Sequence, residues 1–372
     1  MLAVKTLVYC GRSISSLMRT NVHSPEIENL LQCLRTTSYI QNRNQSGGVN
    51  LRGRDLLTLK QLTAAELQQL LWTAMDLKTR IKDNHEIYQP LLGKSLAMIF
   101  QKRSTRTRIS NETGMALLGG HPVFLSPQDI HLGVNESIKD SARVLSGMCD
   151  GILARVYGHE VVTELAEYSS VPVINGLSDL YHPLQILADF ITLQEYFGYL
   201  QGLKIAWVGD GNNITHSFLM GCPLMGIELR IATPKGYEVD PAVMHDALKL
   251  SAKHGSCISI SNDPKEVAYR ADVIVTDTWI SMGQEEEKEK RLNDFHGYQI
   301  DRKLVNEMAA KWVFLHCLPR KSEEVTDDVF YDTKHSLVWQ EAENRKWSAM
   351  AVILHLLGDH SCKIDKPNFQ RE

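Results

Sequence analysis

A chain of 372 residues, 43% hydrophobic and 23% charged, has the make-up of a soluble globular protein and enough length for one or two ordinary cores. Its formal net charge of −4 offers no footprint for nucleic acid, and no apolar run reaches the roughly 18 residues that a membrane-spanning helix needs. The 7 cysteines are scattered without a Cys-x-x-Cys pair, which excludes a zinc or dithiol signature, argues against a disulfide framework and points to a reducing compartment.

Residues 1–46 set Lys5, Arg12, Arg19, Arg35 and Arg43 against only Glu26 and Glu28. This basic, acid-poor stretch without a compact apolar segment is expected to be a mitochondrial transit peptide, with residues 45–48 as a flexible join. Thr63 with Glu66 three residues on forms a capping box ahead of a helix carrying Leu67, Leu70, Leu71, Ala74 and Leu77.

The stretch 94–108 organises the remainder of the chain. Residues 96–100 are a short apolar run, as expected for a strand covered on both faces, and the run breaks abruptly into Ser104-Thr-Arg-Thr-Arg108. Ile109, Thr113, Ala116 and Leu117 then predict one face of a helix that Gly119-Gly120 ends. The break therefore lies at a helix start, where free N–H groups carry partial positive charge. Hydroxyls of Ser104, Thr105 and Thr107 and guanidinium forks of Arg103, Arg106 and Arg108 add donors, so a phosphate is the natural guest.

Further strands are expected at 122–125, 151–157 and 171–175, separated by helices with Ile138, Ala142, Leu145 and Met148 on one and Val162, Leu165 and Ala166 on the next. His182-Pro-Leu-Gln185 opens another helix. A second series comes after it, with strands at 203–208, 228–232, 257–260, 272–276 and 313–317 and helices around 244–252, 264–269 and 304–308. Alternation of this kind predicts an α/β fold of two similar domains, each a parallel sheet flanked by helices, with a cleft between them. The expected boundaries are 47–183 and 184–340, with a last helix at 341–360 packing back on the first domain. Gly209-Asp-Gly-Asn-Asn213 follows a strand as a dinucleotide loop would, yet it lacks the third glycine, and no acid for a ribose follows the next strand. The charged run 285–291 reads as a solvated helix face without chemistry.

Several polar residues fall where strands end or helices begin. Arg106, Thr107, Arg155 and His182 form a set able to hold a carbonyl oxygen and the negative charge developing on it. Asp277 supplies a carboxylate suited to an α-ammonium group and Asn213 an amide suited to an α-carboxylate, a pair that fits an amino acid. Cys317 ends a strand, where a lone cysteine reads first as a small buried residue.

Ser104-Thr-Arg-Thr-Arg108 resembles the carbamoyl-phosphate motif of the transcarbamylase family, and Thr276-Asp-Thr-Trp-Ile-Ser-Met-Gly283 with His316-Cys-Leu-Pro-Arg320 resembles its ornithine branch, a likeness spanning residues 51 to 357. The resemblance implies that Ser104, Thr105, Arg106 and Thr107 grip the phosphate, and that Thr107, Arg155 and His182 polarise the carbamoyl oxygen. It further implies that Gln185 and the Leu318 carbonyl take the carbamoyl amide, that Arg345 binds carbamoyl phosphate, and that His131 reaches the site from a neighbouring subunit of a homotrimer. Asn213, Asp277, Ser281 and the Met282 backbone would hold ornithine. Cys317, at the carbamoyl-phosphate site, would pair with Asp277 beside the side-chain amine. The implied reaction makes L-citrulline and phosphate, in the urea cycle or arginine biosynthesis of the mitochondrial matrix, with no metal or organic cofactor. Two other readings are a transcarbamylase for a different amine and a catalytically silent binding protein on the same fold.

Overall fold

The computed structural model describes residues 7–10, 49–126, 136–280 and 285–371. Of the expected leader and join, only the strand β1 (Leu7–Cys10) is described; the rest of residues 1–48 lies outside the described residues. The loop with His131 and the stretch with Ser281, Met282 and Gly283 lie outside them as well.

The first unit alternates strictly. Helix α1 (Ala64–Lys78) is capped by Thr63 and Glu66 in the expected box. Then come β2 (Ser95–Phe100), α2 (Thr105–Leu117), β3 (His121–Leu125), α3 (Ile138–Ser146), β4 (Gly151–Arg155), α4 (His159–Tyr168) and β5 (Val173–Leu177). These strands form an all-parallel sheet in the order β3-β2-β4-β5. Leu96, Ala97, Met98 and Ile99 of β2 are fully buried, which explains a continuous apolar run where a one-sided strand would alternate.

Helix α5 (Pro183–Phe197) leads into the second unit: β6 (Lys204–Val208), α6 (Asn213–Met225), β7 (Glu228–Ala232), α7 (Pro241–His254), β8 (Cys257–Ser261), α8 (Pro264–Ala268), β9 (Val273–Thr276), α9 (Lys288–Asp294), α10 (Arg302–Val305), β10 (Val313–His316) and α11 (Asp327–Phe330). Its sheet runs β1-β8-β7-β6-β9-β10, parallel except for β1, which pairs antiparallel with β8. The last helix, α12 (Val338–Leu357), packs on α5, α2 and α1 and touches β10. Pro183 to Gln194 of α5 are all buried, as a helix wedged between two units must be. One apolar cluster runs from Leu67 and Met98 through Phe190 to Trp207 and Phe218, so the two units share a core. Each fully buried aliphatic or aromatic side chain there contributes about 1.5–3 kcal/mol.

Three expectations need correction. The buried face of α2 is Thr107, Ser110, Asn111, Gly114 and Met115, while Ile109 is 57% exposed. Small residues let α2 lie close on α12, where Met350 sits against Gly114, so the contact is made without an apolar stripe. The charged run 285–291 is not wholly solvated, because Arg291 is buried and donates to Asp210 at 2.9 Å and to the Trp279 carbonyl at 2.9 Å. Among the described cysteines, Cys149, Cys222, Cys317 and Cys362 are free thiols, but Cys257 is disulfide-bonded. No helix among the described residues is long and apolar enough to cross a membrane.

Candidate active site

Strand order decides where a ligand can sit. After β2 the chain crosses to β3 on one side and then to β4 on the other; after β6 it goes to β7 and β8, then to β9 and β10. Each reversal opens a crevice at the strands' C-terminal ends. Ser104–Thr107 and Arg155 lie at the first crevice. Asn213, Asp277 and Cys317 lie at the second. They face one cavity of about 530 Å³, lined also by His182, Gln185, Leu318 and Arg345. Ser281, Met282 and His131 cannot be placed in it, being outside the described residues.

At the first end, Ser104 caps α2, its hydroxyl accepting from the Thr107 amide at 3.2 Å. Other first-turn amides have no intrahelical acceptor, which makes this a ready anion site. Arg106 donates to the Leu318 carbonyl across the cleft. Arg108 turns away, paired with Glu112 at 3.0 Å and lying over the Phe124 ring, which removes it from the expected phosphate forks.

Buried cations crowd the middle of the cavity. Arg155 and Arg345 both donate to the Thr107 hydroxyl, each at 3.4 Å. Burial, then Arg345 and Arg106, push Arg155 down to about 9, and burial pushes Arg345 down to about 10. Arg345 Nη1 also donates to Gln185 Oε1 at 3.0 Å and to His182 Nε2 at 3.3 Å. His182 is held well below its ordinary range by burial and by Arg345, Arg155 and Arg106. A neutral ring accepting at Nε2 carries its proton on Nδ1. Within the described residues, that Nδ1 and the Nε atoms of Arg155 and Arg345 have no hydrogen-bond partner. Buried donors left over in one cavity suit an oxygen-rich anionic guest.

A carboxyl pair supports this layer. Gln185 Nε2 donates to Asp189 Oδ1 and to Glu341 Oε1, both at 2.8 Å, and Glu341 Oε2 accepts from the His316 amide at 2.8 Å. Burial raises Asp189 to about 7; burial and Asp189 raise Glu341 well above the carboxylate range, so the pair retains a proton near neutrality. Neither acid figured in the sequence reading. Both were within reach of helical spacing, since Asp189 follows Gln185 by four residues and Glu341 precedes Arg345 by four.

At the second end, Cys317 donates its S–H to Asp277 Oδ1 at 3.0 Å, and Asn212 Nδ2 donates to Oδ2 at 3.0 Å. Burial and then Asp277 push the Cys317 thiol well up, so it is a neutral donor. Asn212 also escaped the sequence reading. Asn213 donates to the Ser178 carbonyl at 2.6 Å. Leu318 adopts a left-handed backbone, φ 62°, with its amide donating to His316 Nδ1 at 2.9 Å; His316 Nε2 lies 3.2 Å from Glu324, which also accepts from the Lys321 amide at 2.7 Å. Because Nδ1 accepts, the ring proton lies on Nε2 and faces Glu324. The ring thereby aims the Leu318 carbonyl at the cleft.

The arrangement pairs an anion-binding end with an acidic end in one cleft. Residues 54–195 match the family model described as the aspartate/ornithine carbamoyltransferase carbamoyl-P binding domain, and residues 201–356 match the Asp/Orn binding domain of the same family. The ornithine carbamoyltransferase, mitochondrial, of Aquarana catesbeiana is 61% identical over 320 residues, covering 86% of this chain and 91% of the relative. The ornithine transcarbamylase, mitochondrial, of Gallus gallus is 60% identical over 322 residues, covering 86% and 90%. The solved ornithine carbamoyltransferase of Pyrococcus furiosus shares the fold with a TM-score of 0.81 at 46% identity, over 84% of this chain and all of that one. On these matches and this architecture, the chain belongs to the aspartate/ornithine carbamoyltransferase family.

Proposed function

We propose that the chain is an ornithine carbamoyltransferase that moves the carbamoyl group of carbamoyl phosphate to the side-chain amine of L-ornithine, giving L-citrulline and phosphate, in the urea cycle or arginine biosynthesis. The observation that carries this reading is the one cavity with the Ser104–Thr107 helix start at one end, Arg155 and Arg345 in the middle and the Cys317–Asp277 pair, 3.0 Å apart, at the other end.

In this reading Ser104, Thr105, Arg106 and Thr107 hold the phosphate. Thr107, Arg155 and the Nδ1–H of His182 meet the carbamoyl oxygen, and Arg345 adds positive charge. Gln185 and the Leu318 carbonyl take the amide. Asn213 with Ser281 and Met282 holds the amino-acid backbone, and Asp277 holds its α-ammonium group. Ornithine's side-chain amine must shed a proton, since an alkylammonium of this kind has a pKa near ~10.4. The Cys317–Asp277 pair favours the neutral amine. A C–N bond then forms, the tetrahedral oxyanion is held by the carbonyl-facing donors, and the C–O bond to phosphate breaks with its electron pair leaving on phosphate. Alignment and charge stabilisation are the main work.

We assign 47–183 to carbamoyl phosphate, 184–340 to ornithine and 341–360 to a helix returning to the first unit. The matched ranges, 54–195 and 201–356, support two units but put the division at the end of α5, and the packing of α12 on α1 and α2 supports the returning helix. We place the protein in the mitochondrial matrix behind a leader of residues 1–46, on its basic composition and the mitochondrial names of the frog and chicken relatives. A homotrimer, with His131 contributed by a neighbour, completes the reading; light scattering tests its mass. Colorimetric citrulline detection on protein lacking residues 1–46, with a panel of amines that includes ornithine and aspartate, tests the activity. Turnover restricted to another amine, or binding without turnover, would reject it. A reporter fused to the leader tests the location.

A further inference from the structure

We propose that Asp76, His360 and Cys362 form a binding site for a borderline divalent transition metal, Zn²⁺ or Co²⁺, remote from the cleft and clamping the C-terminal segment to α1. Asp76 is fully buried on α1. Its Oδ1 accepts from the Lys363 and Ile364 amides at 2.8 and 3.1 Å. That leaves Oδ2, which has no hydrogen-bond partner among the described residues. His360 Nε2 has none either, yet the two atoms lie 3.0 Å apart, both side chains fully buried. The Cys362 thiol completes the group, and one ligand atom from each of the three falls within 4.8 Å of the others.

Metal–ligand bonds of about 2.0–2.3 Å at a tetrahedral centre set neighbouring ligand atoms about 3.3–3.6 Å apart. Small side-chain shifts therefore suffice. Each ligand is also oriented from behind, as metal ligands need. Tyr88 Oη lies 2.9 Å from His360 Nδ1, which fixes the ring with Nε2 toward Asp76. Two backbone amides hold the carboxylate, while Thr73 and Gln69 lie 3.6 and 3.8 Å from the Cys362 sulfur. The nearest cation is Arg80, 3.6 Å from Asp76 Oδ2; Glu86 engages that guanidinium at 3.0 and 2.6 Å and Lys363 at 2.9 Å, so its single carboxylate offsets one of the two positive charges and draws both cations toward itself. Mixed O, N and S donors select zinc or cobalt over magnesium or calcium. Asp277, His316 and Cys317 also cluster, but both ring nitrogens of His316 are engaged, by the Leu318 amide and by Glu324.

The test uses the untagged full chain, stripped with chelator and dialysed against micromolar Zn²⁺, in a Cys317→Ser background that silences the cleft thiol. Retention of one equivalent of zinc is expected, falling to none when Cys362→Ser, His360→Ala or Asp76→Asn is added. Asp76→Asn keeps an oxygen for the two backbone amides, so it separates loss of a ligand from loss of folding. Cobalt loading should give a thiolate-to-metal absorption band that disappears with Cys362→Ser, and zinc should raise the melting temperature only where the three ligands are intact. Equal zinc content in every variant, or no zinc held by the Cys317→Ser chain, would overturn the site in favour of a bare histidine–carboxylate pair.

Discussion

Arg106 donates from Nη2 to the Leu318 carbonyl oxygen, tying the first turn of α2 to the loop after β10 across the cleft. The guanidinium is the proposed phosphate ligand, and the carbonyl is the proposed acceptor for the carbamoyl amide. Carbamoyl phosphate can satisfy both at once, whereas ornithine's one anionic group, the α-carboxylate, is assigned to Asn213 and offers no phosphate to draw Arg106 off the carbonyl. Ordered addition is therefore expected, with carbamoyl phosphate binding before ornithine. Initial-rate patterns showing productive binding of ornithine to the free protein would defeat this.

Replacing Arg106 with glycine removes a charge-assisted contact and leaves the Leu318 carbonyl without its donor. The expected loss of carbamoyl-phosphate binding is at least ~1.5 kcal/mol, about tenfold in affinity. Titration calorimetry on folded R106G protein measures it, and an unchanged dissociation constant would remove Arg106 from the phosphate site.

The residues that local chemistry dictates were legible in sequence. Ser104 capping α2, Arg155 ending β4 and Cys317 just beyond β10 each follow from a strand stopping and a loop beginning. What stayed hidden depends on partners far along the chain: Glu341 accepting from the His316 amide, Arg291 donating to Asp210, and His316 lying against Glu324. The buried face of α2 was misread for a different reason. Hydrophobic periodicity is silent where helices meet through Ser110, Asn111 and Gly114, and the informative signal was the glycine itself.

Asp277→Asn retains the shape at the acidic end and removes its charge. Cys317 remains a thiol in either case, since burial is the largest cause of its upward shift. The variant should lower kcat/KM for ornithine by about 10- to 100-fold, as expected for a contact worth about 1.5–3 kcal/mol, with carbamoyl-phosphate affinity unchanged. In the unmodified protein kcat/KM for ornithine should rise with pH toward the amine's own pKa. Equal losses for both substrates in D277N would point to general disruption of the cleft instead.

Gly211 explains the glycine loop without a dinucleotide. Its amide donates to the Tyr237 carbonyl at 2.9 Å, and a Cβ there would stand 2.5 Å from the backbone of Glu238 and Val239. Backbone cannot swing aside as a side chain does, so Gly211→Ala should destabilise the fold by about 1–3 kcal/mol. It should also weaken ornithine binding by displacing Asn212 and Asn213. Urea unfolding and ornithine KM measure the two effects, and wild-type values for both would show that the close approach relaxes freely.

Asp189 and Glu341 make stability depend on pH in the sense opposite to most acids. An unfolded aspartate titrates near ~3.9, whereas burial raises Asp189 to about 7, so the folded protein binds the extra proton between those values. Stability from this group is fully present below the unfolded pKa and declines as pH rises through the folded one, at up to about 1.4 kcal/mol per pH unit for one proton. Asp189→Asn keeps an oxygen for the Gln185 amide, a bond of 2.8 Å, and removes the titration. Ionisable groups other than Glu341 are common to both chains and largely cancel in the comparison; Glu341 loses the upward push of Asp189 in D189N, which adds to the difference in the same direction. Wild-type stability relative to D189N should therefore fall from about pH 4 to about pH 7 and then level off, read from urea midpoints at fixed salt. Parallel curves across that window would mean that the carboxyl pair carries no extra proton in the folded state.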